Sequence, residues 1–124
     1  MDEKILIIDD DPAVRSMVSD FLGKKGFTAI TAKDGKEGIK TASRLMPALI
    51  LLDITMPKMD GFAVLEKLKS SEKTMSIPVI MLTARSEEEA KLKALSLYCQ
   101  YYLVKPFDLG VLESKIKELL KITT

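Results

Sequence analysis

Short apolar runs alternate along this chain with longer stretches in which apolar residues recur every three or four positions. Runs of four or five mainly apolar residues are typical of strands buried on both faces, and the three-to-four spacing is typical of amphipathic helices. We predict strands at 5–8, 27–31, 48–52, 78–82 and 101–104. A stretch with helical spacing follows each of them, so the pattern predicts five β–α repeats.

Polar residues in front of the helical stretches are candidate caps. In chain order they are Asp11 before Pro12, Asp34 with Glu37, Asp60, and Ser86 with Glu89. Aspartate and serine side chains accept hydrogen bonds from the free N–H groups at a helix start, and an acid three residues later completes a capping box. The serine pair predicts a fourth helix that ends near Leu97, and two glycines, Gly23 and Gly26, predict the end of the first helix.

Five β–α repeats with strands that are apolar on both sides indicate the α/β class. Such strands form a parallel sheet covered by helices on both faces, joined by right-handed crossovers. The 124 residues suit one domain, and we expect it to span 1–124.

Composition excludes several functions. A net charge of +1 gives no general attraction to nucleic acid or to anionic lipid, so we expect neither as a direct partner. The chain has no histidine and a single cysteine, Cys99, which argues against histidine triads, zinc clusters and internal disulfides. No apolar run reaches the length of a membrane span, and the simplest location is the cytoplasm.

Residues with useful chemistry follow the predicted strands directly. They are Asp9 and Asp10 after the first, Asp53 after the third, Thr83 after the fourth and Lys105 after the fifth. Ligands of open α/β sheets bind beyond the carboxyl ends of the strands, so we expect these residues to converge. Neighbouring carboxylates resist ionising together, and a hard divalent cation such as Mg²⁺ relieves that repulsion.

Each of these residues also has a plainer interpretation. Asp11 before Pro12 is mainly a helix cap, and Thr83 has a residue type that is common at strand ends. Tyr102 alone is typical of strand packing. The joint placement after several strands, rather than one residue, supports a phosphoryl-transfer site in which Asp53 is the candidate nucleophile.

Four segments carry a resemblance to a known family: ILIIDDDP, LLDITMPKMDG, VIMLTA and YLVKPF. In this order and spacing they resemble the receiver domains of two-component response regulators, including the single-domain chemotaxis regulators. The resemblance covers essentially the whole chain. It implies a flavodoxin-like fold, a (βα)₅ three-layer sandwich with a five-stranded parallel sheet of order 2-1-3-4-5.

The resemblance also implies roles for individual residues. Asp53 would be the phosphoacceptor. Asp10 would bind Mg²⁺ directly, Asp9 would bind it through water, and the backbone carbonyl of Thr55 would be a further ligand. Mn²⁺ is an expected substitute for Mg²⁺, and no organic cofactor is expected.

Two more positions match the switch of the family. Thr83 would bind the phosphoryl group and move toward it, and Tyr102 would turn inward in response. Lys105 would bridge to the phosphoryl group, and its bond to Pro106 would be cis. The expected result is a repacked surface on the fourth helix, fifth strand and fifth helix.

The partners implied are a sensor histidine kinase or a histidine phosphotransfer protein as phosphoryl donor, and a downstream protein bound by that surface. Neither nucleic acid nor membrane is expected as a direct partner. Such a chain assists its own phosphorylation and dephosphorylation and is not a turnover enzyme. One departure is Tyr98-Cys99, where the family usually has Gly-Ala, because a tyrosine in a left-handed cap conformation is strained by about 1 kcal/mol or more.

Two alternatives remain open. A haloacid-dehalogenase-like phosphatase would use Asp9 as nucleophile and Asp11 as acid or base. Against it, Ala13 replaces the usual Thr or Val, and the chain offers no cap domain. A receiver-like interaction module that signals without phosphate is the second alternative, although such proteins tend to lose the site residues that are retained here.

Overall fold

A computed structural model of the protein describes residues 3–122 as one α/β unit. Its strands are β1 (Lys4–Ile8), β2 (Thr28–Ala32), β3 (Leu49–Leu52), β4 (Val79–Thr83) and β5 (Tyr101–Val104). Its helices are α1 (Pro12–Lys24), α2 (Gly35–Leu45), α3 (Gly61–Lys69), α4 (Glu88–Ser96) and α5 (Leu109–Leu120). The predicted strands are therefore confirmed to within one residue at each end. The expected span of 1–124 extends two residues beyond the described part at each end.

All strand pairs are parallel, and the sheet order is β2-β1-β3-β4-β5. Ile8, the last residue of β1, lies between Ala32 of β2 and Leu52 of β3. Thr83 of β4 is paired with Val104 of β5. This register brings the carboxyl ends of the strands to one edge, so the residues that follow them share a common surface. The expected flavodoxin-like fold is confirmed.

Alternate residues of the central strands enter two separate cores. On one face of the sheet, Leu6 and Ile8 pack with apolar residues of α2, α3 and α4. On the other face, Ile5 and Ile7 pack with α1 and α5 through Val18 and Leu112. Each fully buried aliphatic side chain of this kind contributes about 1.5–3 kcal/mol relative to an exposed one. Burial on both faces explains why the strand sequences carry no polar alternation.

Three of the predicted caps are present. Asp11, Asp34 and Asp60 each accept a hydrogen bond from a backbone N–H in the first turn of their helix. Asp34 accepts from the Glu37 amide at 2.8 Å, and the Glu37 carboxylate accepts from the amide of Lys33, one residue before the cap, rather than from that of Asp34. The prediction for the end of the first helix was less accurate, because α1 continues through Gly23 to Lys24, and Gly26, at φ +92°, makes the turn.

The capping box predicted from Ser86 and Glu89 is wrong. Helix α4 begins at Glu88, its N-cap residue is Glu87, and no side chain makes a capping hydrogen bond there. The physical reason lies in the preceding turn, in which the Arg85 amide donates to Oγ1 of Thr83 at 3.3 Å. This turn moves the first helical residue further along the chain than the serine would place it.

Tyr98, which follows α4 directly after the cap residue Leu97, has a left-handed backbone at φ +74°. The amides of Tyr98 and Cys99 donate to the carbonyls of Leu95 and Ala94, which closes the last turn. Tyr98 is 73% exposed, so packing of its ring does not compensate the backbone strain. The chain therefore keeps the turn geometry that glycine usually provides.

Across the part of the chain that the structure covers, the helices are too short or too polar for any of them to cross a bilayer.

Candidate functional site

Three aspartates meet at the carboxyl edge of the sheet. Asp9 and Asp10 follow β1 directly, Asp53 follows β3, and one carboxylate oxygen from each lies within 4.8 Å of the others. Asp9 and Asp53 are buried, whereas Asp10 is exposed. Because β1 and β3 are adjacent strands, their parallel pairing alone brings the loop residues of both together.

Lys105, after β5, reaches across the edge of the sheet to two of these acids. Its Nζ donates to Oδ2 of Asp9 at 2.8 Å and to Oδ2 of Asp53 at 3.3 Å. The ammonium group is largely buried, with 21% of the side chain exposed. The peptide bond between Lys105 and Pro106 is cis, as the resemblance implied.

The surroundings of this cluster shift the pKa values of Asp9 and Lys105. Burial raises the pKa of Asp9 above its ordinary value of 3.8, against the lowering effect of its hydrogen bonds to Lys105 and the Asp11 amide. Burial by itself would lower the pKa of Lys105, but the hydrogen bond to Asp9 and the charge of both carboxylates raise it. The Lys105 ammonium group thus contacts two of the three carboxyl groups, Asp9 and Asp53, and does not contact Asp10.

Asp53 is held by the backbone around it. Its amide donates to the carbonyl of Ile8 at 3.0 Å, and its Oδ1 accepts from the Thr55 amide at 3.4 Å. The start of α3 lies directly against it, since a Cβ atom built on Gly61 would come within 2.2 Å of the Asp53 carbonyl oxygen. Only glycine fits this close approach.

Thr83 and Tyr102 belong to a second group beside the cluster. Thr83 is fully buried, and its Oγ1 accepts from the Arg85 amide. The hydroxyl of Tyr102 donates to the Arg85 carbonyl at 2.6 Å. The backbone of Arg85 therefore connects the loop after β4 to Tyr102 of β5.

Sequence reasoning missed one residue of this region. The Nη1 atom of Arg15 donates to the backbone carbonyl of Asp9 at 2.7 Å. Arg15 lies one turn after the cap residue Asp11, so the sequence pattern predicts that it is helical. Its target is a backbone oxygen, however, and no sequence pattern marks a backbone oxygen that needs a donor.

The residues present suit a hard divalent cation. Carboxylate oxygens are the protein ligands that Mg²⁺ prefers, and one or two of them suffice when water completes the octahedron. Asp9, Asp10 and Asp53 supply three such groups within reach of one ion. The structure thus brings together the aspartates and the lysine that the sequence singled out.

The response regulator receiver domain family matches residues 5–117 of this chain. The match covers most of the chain, and together with the five parallel strands in the order 2-1-3-4-5 it shows that the chain belongs to this family.

Curated relatives match this chain over nearly its whole length. The chain is 42% identical over 120 residues to the DNA-binding dual master transcriptional regulator RpaA of Synechocystis, a match that covers 97% of this chain and 50% of that protein. It is 36% identical over 121 residues to the alkaline phosphatase synthesis transcriptional regulatory protein PhoP of Bacillus subtilis, covering 98% and 50%. The chain spans about half the length of these relatives.

Solved structures agree with the fold. The chemotaxis protein CheY4 of Vibrio cholerae superposes with a TM-score of 0.90 at 29% identity, covering 96% of this chain and 99% of that one. A response regulator from Chloroflexus aurantiacus gives a TM-score of 0.92 at 27% identity, covering 98% and 99%.

The expectation about partners needs a correction. Nucleic acid was excluded as a direct partner because the net charge is +1. That exclusion is wrong, since the relative from Synechocystis is a DNA-binding regulator and the one from Bacillus subtilis is a transcriptional regulator. The physical reason is that net charge describes these 124 residues alone, whereas half of each relative lies outside the match.

Proposed function

We propose that Asp53 accepts a phosphoryl group from a phosphohistidine of a partner protein in a reaction that depends on Mg²⁺. A carboxylate oxygen of Asp53 attacks phosphorus, the bond from phosphorus to the imidazole nitrogen breaks, and that nitrogen keeps the electron pair. The observation that carries this proposal is the meeting of three aspartates within 4.8 Å beside a lysine that contacts two of them.

In this proposal Asp10, Asp53 and the backbone carbonyl of Thr55 hold the ion, and Asp9 holds it through water. A bound Mg²⁺ would neutralise negative charge on the phosphoryl oxygens during transfer. The chain acts as a phosphoacceptor that assists its own phosphorylation and dephosphorylation, rather than as an enzyme that turns over a separate substrate.

Lys105 and Thr83 complete the site on the protein side. The ammonium group of Lys105 already contacts Asp53 at 3.3 Å and would pair with the phosphoryl group once it is attached. The hydroxyl of Thr83 can donate to a phosphoryl oxygen while it accepts from the Arg85 amide. A new partner for Thr83 would pull on the loop that carries Arg85.

That loop is the proposed switch. Because Tyr102 donates to the Arg85 carbonyl at 2.6 Å, movement of the loop changes the position that the tyrosine ring can occupy. Phosphorylation adds charge and acceptor oxygens at one end of this connection and so favours one of two packings of α4 against β5.

The test is labelling with acetyl phosphate followed by intact mass spectrometry. We expect a mass gain of one phosphoryl group in the presence of Mg²⁺ and none in excess chelator. Asp53→Asn should abolish the gain. Asp20→Asn, which alters an exposed aspartate of α1, is the matched control and should label like the unchanged protein.

Absence of labelling by acetyl phosphate and by a set of phosphorylated kinases would contradict the proposal and favour the interaction module. Labelling that survives Asp53→Asn but not Asp9→Asn would instead favour the phosphatase alternative.

We further propose that this phosphorylation feeds into control of transcription, because relatives matched over nearly the whole chain are named transcriptional regulators. Transcript profiles of cells carrying the unchanged gene should differ from those of cells carrying Asp53→Asn. Identical profiles under conditions in which Asp53 is labelled would contradict this part of the proposal.

A further inference from the structure

The carbonyl oxygen of Asp9 lies just beyond the last residue of β1, where the sheet offers it no further partner. The amide of the same residue still donates to the Ala32 carbonyl of β2 at 3.2 Å. A buried backbone oxygen without a donor costs free energy comparable to a lost hydrogen bond. Here the guanidinium of Arg15 supplies that donor at 2.7 Å.

This carbonyl belongs to the peptide group that joins Asp9 to Asp10. Asp9 is also held through its side chain, because Oδ1 accepts from the Asp11 amide and Oδ2 accepts from Lys105. Asp10 is exposed, and within residues 3–122 no hydrogen bond holds its carboxylate. The direction of the Asp10 side chain therefore depends on the orientation of the peptide that precedes it.

Arg15 is well placed to fix that orientation. It lies in the first turn of α1, and its amide donates to the Asp11 carbonyl at 3.1 Å. The helix start is itself capped by the Asp11 side chain. Arg15 is thus anchored on a helix and is a half-buried residue, and a hydrogen bond from its charged donor is stronger than one from a neutral donor.

We propose that Arg15 is a positioning residue that holds the Asp9–Asp10 peptide so that the Asp10 carboxylate points toward Asp53. Arg15 touches neither the ion nor the phosphoryl group. It acts through the backbone on the affinity for the divalent cation, and so this inference rests on the metal site of the proposed function.

The experiment measures cation affinity directly, by isothermal titration calorimetry with Mg²⁺ and by electron paramagnetic resonance with Mn²⁺. Arg15→Met keeps much of the side-chain length but removes the donor, and it should weaken binding about tenfold, the lower end of the range for groups that orient metal ligands. Arg15→Lys retains a donor and should recover part of the affinity. Arg44→Met, at an exposed arginine of α2, is the matched control and should bind like the unchanged protein.

A second readout separates positioning from a general structural role. At saturating Mg²⁺ the rate of labelling of Arg15→Met by acetyl phosphate should return to that of the unchanged protein, because only the affinity is altered. Thermal unfolding of each variant identifies the temperature range in which it is folded. If Arg15→Met does not fold at any temperature, Arg15→Leu, which also lacks a donor, provides the same comparison.

The outcomes separate the two proposals. Unchanged affinity in folded Arg15→Met, or a labelling rate that stays low at saturating Mg²⁺, overturns the role of Arg15 and leaves the phosphoacceptor intact. An unchanged protein that binds neither Mg²⁺ nor Mn²⁺ overturns the proposed metal site itself.

Discussion

The loops after β1 and β4 lie at the same edge of the sheet but are held very differently. In the first loop, the amide, the carbonyl and both carboxylate oxygens of Asp9 have partners, two of which are the charged groups of Arg15 and Lys105. In the second loop, Arg85 is tied through neutral contacts to Thr83 and Tyr102. The ion pair between Arg85 and Glu87 is exposed and therefore weak.

The helices that follow repeat this contrast. Asp11 caps α1 with its side chain, whereas no side chain caps α4. Helix α4 also exposes Leu92 and Leu95, and the turn that follows it contains a tyrosine in a strained left-handed conformation. The first region is built to hold charges in place, and the second can change its contacts at small cost. This division is what a switch requires, since one part must stay fixed while the other moves.

The largest expected effect comes from Gly61→Ala, at the start of α3, where the helix packs against the backbone of Asp53. Its added Cβ would meet the Asp53 backbone at 2.2 Å, so α3 must shift, and overpacking of this kind costs about 3 kcal/mol. Chemical denaturation should show this loss. The control is Gly23→Ala in α1, where a Cβ meets nothing within 4 Å and should stabilise the protein by about 0.5–1 kcal/mol. Equal effects of the two substitutions would contradict the close approach at Gly61.

The next effect concerns pH. Burial raises the pKa of Asp9 in the native state above its ordinary value of 3.8. The native state therefore binds the proton of this acid more tightly than the unfolded state does. The contribution of Asp9 to stability is therefore fully present below the ordinary pKa and is lost as pH rises through the folded pKa. The test compares the free energy of unfolding of the unchanged protein with that of Asp9→Asn, from low to neutral pH and without metal. As pH rises, the variant should become more stable relative to the unchanged protein. A trend in the opposite direction would mean that the ionised acid stabilises the fold.

A smaller effect on stability is expected from substitutions in front of the helices, where α2 has a side-chain cap and α4 has none. Asp34→Ala removes the cap bond to Glu37 and should cost about 1 kcal/mol. Ser86→Ala, in front of α4, should change stability little, because Ser86 is exposed and is not the cap residue. Urea unfolding of both variants provides the comparison, and a loss at Ser86 equal to that at Asp34 would restore the capping box predicted from sequence.

The smallest expected effect is a gain at the end of α4. Tyr98→Gly relieves the left-handed strain at φ +74°, but glycine loses more backbone freedom on folding, so the net gain in stability should be about 1 kcal/mol or less. Tyr98→Ala separates the ring from the backbone, since alanine keeps the strain and the ring is 73% exposed. Thermal unfolding should therefore place the alanine variant near the unchanged protein. A loss of stability in both variants would show that the ring contributes packing.

Much of this protein can be predicted from the order of its residues. Strand positions follow from apolar runs, and the caps at Asp11, Asp34 and Asp60 follow from local hydrogen bonding between neighbours in the chain. The acids after β1 and β3 and the lysine after β5 could be singled out because strand ends of a parallel sheet share an edge. Local signals failed at Ser86, where a turn closed by Thr83 decides where α4 begins.

Contacts between distant residues were decided only in three dimensions. Lys105 and Asp9 are 96 residues apart in the chain and 2.8 Å apart in space. The sequence supplies the charged groups, but the packing of five strands sets the distances between them and removes the water that would screen them. The contact from Arg15 to the Asp9 carbonyl joins residues only six apart, yet it also depends on the tertiary structure, because the need of a backbone oxygen for a donor arises only where the sheet ends.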